Sequence, residues 1–141
     1  MCSALVGWFA DIRLADRLEV GGKGGSLGEL TRAGIEVPPG FVLKTAAFEK
    51  FIETLEGESP VRERVESLRA DDLEGITALS AQLRARVVAA PLPAEVADAI
   101  AGAVGELGSG AASSGVAVRS SATTEDAADA SFAGLDRKSV V

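Results

Sequence analysis

The sequence predicts an α+β domain in which several helices pack on a small mixed sheet, and three observations support that expectation. Apolar runs of strand length stand between turn-forming residues: Ala4–Phe9 (ALVGWF), Phe41-Val42-Leu43 and Val116-Ala117-Val118. Longer stretches between them repeat apolar residues at helical spacing. Pro and Gly clusters separate the stretches, so each is the length of one element.

Taken in order, Ala4–Phe9 is a short edge-strand candidate, with Trp8 packing over the core. Asp11 to Leu18 reads as a turn of mixed charge. After Gly21-Gly22-Lys23-Gly24-Gly25 a helix is expected from near Ser26, with Leu27 and Leu30 on one face and Gly34 just past its end. Val37-Pro38-Pro39-Gly40 is a stiff turn, because proline fixes its own φ and biases the preceding residue toward extended geometry. Thr45 is a suitable N-cap for a helix over Ala46–Leu55. Phe48, Phe51, Ile52 and Leu55 form its apolar stripe.

Gly57 and Pro60 interrupt that pattern. Val61, Val65 and Leu68 then recur at helical spacing, followed by Leu73, Ile76, Leu79, Leu83 and Val87. The arginines and glutamates among them read as solvated faces with i,i+3 or i,i+4 pairs, each worth a few tenths of a kcal/mol. Ala90-Pro91-Leu92-Pro93 is a hard stop, and Pro93 suits the first position of another helix striped by Val96, Ile100, Val104 and Leu107. Gly108–Gly115 is a flexible loop by composition. There is no internal repeat.

Composition narrows the functional classes. A chain of 141 residues is one domain's worth, and 47% hydrophobic residues are ample for a core. The net charge of −7 argues against a nucleic-acid surface, although a local cationic pocket remains compatible with it. Cys2 stands alone, so no internal disulfide forms. The first residues lack the basic lead and apolar core of a signal peptide, and no run reaches the roughly 18 apolar residues of a membrane span. The expectation is a cytoplasmic protein bound to neither membrane nor nucleic acid, with its oligomeric state open.

The most informative stretch is Val116–Gly134, VAVRSSATTEDAADASFAG. A buried strand is expected to end in Arg119, followed by Ser120, Ser121, Thr123 and Thr124 and the acids Glu125 and Asp126. Arginine offers a rigid fork of donors matched to phosphate oxygens. Two readings stay open: a phosphate grip, or a strand and hydroxyl-rich turn with Arg119 paired to Glu125 or Asp126. The hydroxyls of Ser120, Ser121 and Thr123 either donate to phosphate or cap the turn, and the turn is favoured.

The second stretch is Val20–Leu30, in which a Gly-rich turn carries Lys23 into a helical pattern. Glycines let backbone turn sharply and approach a ligand closely. A lysine just before a helix N-terminus would meet free N–H groups and a dipole that favours an anion. The spacing is not that of a P-loop. A flexible turn with a solvated lysine is the alternative.

GGKGGSLGEL, VPPGFVLKTAAF and VAVRSSATTEDAADASFAG, in that order, resemble the start of the ATP-binding domain shared by phosphoenolpyruvate synthases (pyruvate, water dikinases), pyruvate phosphate dikinases and rifampin phosphotransferases. The resemblance implies the first subdomain of an ATP-grasp fold over residues 1–134. It implies that Lys23 and Arg119 contact the phosphates of ATP, and that the backbone at Gly134 closes over the nucleotide. Ser120, Thr123 and Glu125 are secondary candidates. Mg2+ is implied as well, with ligands mostly outside these residues, so no metal site is assigned here. The implied activity is phosphorylation of pyruvate through a phosphohistidine on other domains. The chain has no His, so these residues alone are expected to transfer nothing.

After Gly134 the text departs from the family pattern. Residues 135–141 read LDRKSVV, with Lys138 where a Thr is expected, and the tail looks foreign. Three alternatives are carried forward: a rifampin phosphotransferase or pyruvate phosphate dikinase in place of the synthase, a non-catalytic nucleotide-binding module, and a fragment without function.

Overall fold

The computed structural model describes residues 4–108 and 115–124, together with the backbone of residues 138–140. Strand β1 (Val6–Trp8) pairs antiparallel with β2 (Phe41–Leu43), Val6 opposite Leu43 and Trp8 opposite Phe41. Between them lie a single 3-10 turn (Leu14–Asp16) and helix α1 (Arg17–Arg32). Helices α2 (Thr45–Glu58), α3 (Arg62–Glu66), α4 (Leu73–Ala89) and α5 (Ala94–Leu107) follow. Strand β3 (Ala117–Arg119) pairs antiparallel with β4 (Lys138–Val140), and Arg119 stands opposite Lys138. The class is α+β, as expected. Among the described residues its strands form two antiparallel ribbons rather than one mixed sheet.

The β1–β2 ribbon sits where the sequence places strand-length apolar runs. Trp8 meets Phe41 edge-to-face at 5.5 Å between ring centroids, a geometry favoured by the ring quadrupoles. Helix α5 packs on β1, and α1 packs on β2, on α2 and on the 3-10 turn. Leu5, Ala47 and Val96 form a fully buried cluster, with Ala99 and Ile100 against it. Leu55 is buried as completely as Val96, and burial of such a side chain is worth roughly 1.5–3 kcal/mol.

Helix α1 begins at Arg17, well before the expected Ser26, and it buries a different face. Its buried residues are Val20, Gly21, Gly22, Gly24, Gly25 and Gly28, whereas Leu30 is exposed. Of the two leucines expected on the buried face, Leu27 is half-buried and Leu30 is exposed, and the fully buried positions are mostly glycines. A Cβ on Gly28 would come within 2.5 Å of the Ile12 carbonyl oxygen, and one on Gly24 within 3.0 Å of Val42. Gly28 brings the helix close to the Ile12 backbone and Gly24 brings it close to the Val42 side chain. Helix α1 closes as expected at Gly34, whose φ of 75° is left-handed. Gly34 N–H donates to Thr31 and Ile35 N–H to Leu30, each at 3.1 Å, which is a Schellman ending.

Other expectations need correction. Thr45 is the first residue of α2, and its hydroxyl donates to the Leu18 carbonyl at 3.5 Å instead of capping its own helix. Phe48 is 60% exposed, because Ala47 takes the core position beside it. In α5 the buried residues are Val96 and Ala103, while Val104 is exposed. Pro93 is the N-cap of α5 and not its first residue.

The arginines are not simply solvated helix faces. Arg86 donates to the Leu55 carbonyl at 2.6 Å and lies 3.8 Å from Glu58, tying α4 to the end of α2. Ion pairs also join separate elements: Arg62 with Glu49, and Lys50 with Glu95 at 2.9 Å. Such exposed pairs are worth little individually, at most about 1 kcal/mol.

Glu56 caps the turn into α3, accepting from Arg62 N–H at 2.7 Å and Val61 N–H at 3.1 Å. The Arg62 N–H is the main cause that holds the Glu56 carboxyl below its ordinary pKa, with Val61 N–H adding to it against a smaller opposing effect of desolvation. A carboxyl depressed in the folded state stabilises it fully above the unfolded pKa and loses that contribution as pH falls through the folded value. The stability gap between wild type and Glu56→Gln is therefore expected to narrow from neutral pH to about pH 3, measured by urea unfolding across that range.

The glycine packing gives a paired expectation. Gly28→Ala forces backbone apart at Ile12 and should destabilise the fold by about 1–3 kcal/mol. Gly102→Ala in α5 meets nothing within 4 Å and should stabilise it by about 0.5–1 kcal/mol, since alanine is the better helix former. Thermal unfolding of the two variants checks both signs.

Candidate functional site

The site begins with a broken helix. Gly21 has φ 75° and ψ 173°, so α1 is two helical segments joined at a kink. That backbone region is open essentially to glycine alone. A kink leaves amides on one side and carbonyls on the other without helical partners. In an uninterrupted helix the Gly24 N–H would donate to the Val20 carbonyl.

Here the Ser121 hydroxyl stands between them. It accepts from Gly24 N–H at 3.2 Å and donates to the Val20 carbonyl at 2.8 Å. Next to it, Gly22 N–H donates to the Ala122 carbonyl at 2.9 Å. Ser121 thus inserts into the helix ladder from 97 residues away. Gly21 has to be glycine for a second reason: a Cβ there would overlap the Ser121 hydroxyl and lie 2.8 Å from its carbonyl carbon.

This junction brings the two stretches singled out in the sequence into contact. Lys23, half-buried, lies between Gly22 and Gly24, whose amides carry the tie. Arg119, exposed at the end of β3, lies two residues before Ser121. Ser120 is exposed, and Thr123 is half-buried in a turn with Thr124. Glu125, Asp126 and Gly134 lie outside the described residues, as do residues 135–137 of the tail.

Two expectations about this region change. The helix N-terminus beside Lys23 was expected to offer free amides to an anion, but Gly22 and Gly24 already donate to the 121–122 segment. Any anion would be held here by side-chain charge more than by these amides. The strand carrying Arg119 was expected to be buried, yet all three residues of β3 are exposed, Val118 by 53%. A two-stranded ribbon leaves side chains open to solvent unless another layer covers them.

What the arrangement offers chemically is a pair of unlike cations on a shared backbone junction. A lysine is a mobile point charge and an arginine a planar fork. Among the described residues there is no group of three or more His, Cys, Asp or Glu side chains that could hold a metal ion. No single described helix is long and apolar enough to cross a membrane.

Ser121, Ala122 and Gly21 are the residues whose structural part sequence reasoning missed. The available signal was the pair Gly21-Gly22 ahead of a helical run, since a helix restarting there needs acceptors for its first amides.

Residues 17–138 match the family described as pyruvate phosphate dikinase, AMP/ATP-binding domain. The chain is 43% identical over 135 residues to a rifampicin phosphotransferase of a Streptomyces species, covering 95% of this chain and 15% of that protein. It is 39% identical over 130 residues to the phosphoenolpyruvate synthase of Deinococcus radiodurans, covering 89% of this chain and 16% of that protein. It is 36% identical over 136 residues to the phosphoenolpyruvate synthase of Escherichia coli, covering 94% and 17%. The chain spans about a sixth of the length of these relatives.

The kink makes a sharp demand on residue 21. Gly21→Ala should destabilise the fold by about 2 kcal/mol or more, through both backbone strain and overlap with Ser121. Gly21→Asn should be no milder, because asparagine tolerates the left-handed helical region and not this one. Chemical denaturation of both variants decides it.

Proposed function

Because the chain belongs to the pyruvate phosphate dikinase AMP/ATP-binding domain family, we propose that it supplies the phosphate-gripping part of an ATP-dependent phosphotransferase of the phosphoenolpyruvate synthase type. The observation that supports this reading is the backbone junction between Gly22–Gly24 and Ser121–Ala122, which sets the segments of Lys23 and Arg119 side by side. In this proposal the two side chains are charge clamps and not nucleophiles. Phosphoryl transfer spreads charge over the equatorial oxygens, and cations fixed beforehand stabilise it without reorganising during the reaction.

Gly134 closes over the nucleotide in this reading. Ser120 and Thr123 are secondary donors and Glu125 a secondary polar contact. The wider architecture is ATP-grasp and the location cytoplasmic. Mg2+ arrives with ATP as part of the substrate. The phosphoryl acceptor is a histidine outside these residues, because the sequence contains none. The β-phosphoryl group of ATP passes to that histidine, water takes the γ-phosphoryl group as inorganic phosphate, AMP leaves, and the phosphohistidine then converts pyruvate to phosphoenolpyruvate. In this reading the 141 residues by themselves transfer nothing, since they contain no His. The 43% identity to a rifampicin phosphotransferase supports a second reading, in which the same grip serves an antibiotic acceptor.

Titration of ATP, with and without magnesium, into wild type, Lys23→Ala and Arg119→Ala tests the grip. Each variant should bind ATP about tenfold or more weakly, as expected for loss of one charge-assisted contact. Equal affinity in all three removes the reading.

A further inference from the structure

We infer that Ser121 is a positioning residue for the phosphate grip: its hydroxyl, bridging Val20 and Gly24, sets the segment bearing Lys23 against the segment bearing Arg119 before nucleotide arrives. The inference rests on the proposed phosphate reading and assigns a residue that reading leaves without a role.

The geometry separates Ser121 from a phosphate ligand. Its one proton is directed to the Val20 carbonyl at 2.8 Å, so it has none to donate to a phosphate oxygen. Its oxygen accepts from Gly24 N–H, one residue beyond Lys23. The neighbouring Ala122 carbonyl accepts from Gly22 N–H, one residue before Lys23. The backbone is thus held on both sides of the lysine by the same two residues that follow Arg119 and Ser120.

A tie is needed for a physical reason. Among the described residues strand β3 is exposed and pairs with β4. Without the tie, ATP would have to order the Arg119 segment at the expense of its own binding free energy. With it, that ordering is completed during folding.

The test is a double-mutant cycle on the 141-residue chain, read by MgATP affinity and, in parallel, by Tm. Wild type, Lys23→Ala, Ser121→Ala and the double variant are compared. Ser121→Ala should weaken MgATP about tenfold, and the loss caused by Lys23→Ala should shrink at least about threefold when Ser121 is absent. Unchanged MgATP affinity in Ser121→Ala overturns the inference whatever happens to Tm. So does a Lys23→Ala loss of equal size in both backgrounds, which is what a merely structural serine would give. If Lys23→Ala has no effect with Ser121 intact, the phosphate reading itself falls, a result distinct from the other two. Amide exchange on the wild type decides the matter should Ser121→Ala fail to fold. The Gly22 and Gly24 amides should be protected without ATP, and protection that appears only when ATP is added overturns the inference.

Discussion

The three hydrogen bonds that Val20, Gly22 and Gly24 make with Ser121 and Ala122 are the constraint on which the candidate site depends. They exist because α1 is broken at Gly21, and a broken helix has amides and carbonyls that must find partners elsewhere. The partners come from the other end of the chain. A local backbone defect thereby becomes a long-range connection, and the connection passes on either side of Lys23. The same residue that permits the break, Gly21, also leaves room for the serine that repairs it.

Around that junction the packing keeps α1 in place. Gly24 and Gly28 let the helix sit close to Val42 and Ile12, and Glu29 reaches the Leu14 N–H at 2.9 Å. Lys44, at the end of β2, pairs with Glu19 at 3.1 Å. The β1–β2 ribbon therefore fixes the helix from one side, and the 121–122 segment fixes its kink. Helices α2 and α5 close the core with Leu5 through Ala47 and Val96. Arg86 holds α4 on the end of α2 by donating to the Leu55 carbonyl, which also accepts from Ser59 N–H at 3.2 Å.

Features that depend on neighbouring residues were legible in the sequence. The strand at Phe41–Leu43, the glycine ending at Gly34 and the stop at Pro91 follow from local preferences, and all are present. Lys23 and Arg119 stood out by residue type beside glycines and hydroxyls, and the order of the motifs carried the family, which the match over residues 17–138 bears out. Features that depend on what lies across the molecule were misread. Helix α1 buries its glycines because Ile12 and Val42 need the space, and no periodicity of apolar residues reports that. Phe48 is exposed because the smaller Ala47 fits against Leu5 and Val96. Arg62 and Arg86 pair between helices, with Glu49 and Glu58, where spacing along one helix gives no signal.

By itself the sequence determined most of the elements and their order, though not the start of α1 or the strand β4, and it determined the two cation-bearing stretches and the family. Each of these is encoded in residue type and short spacing, through backbone preferences and side-chain chemistry acting over a few residues. Only the tertiary structure decided that the amides beside Lys23 are already bonded, that Ser121 supplies the bond, and that β3 is exposed. A hydrogen bond between residues 97 apart depends on how the whole chain packs, and local preference holds no record of it.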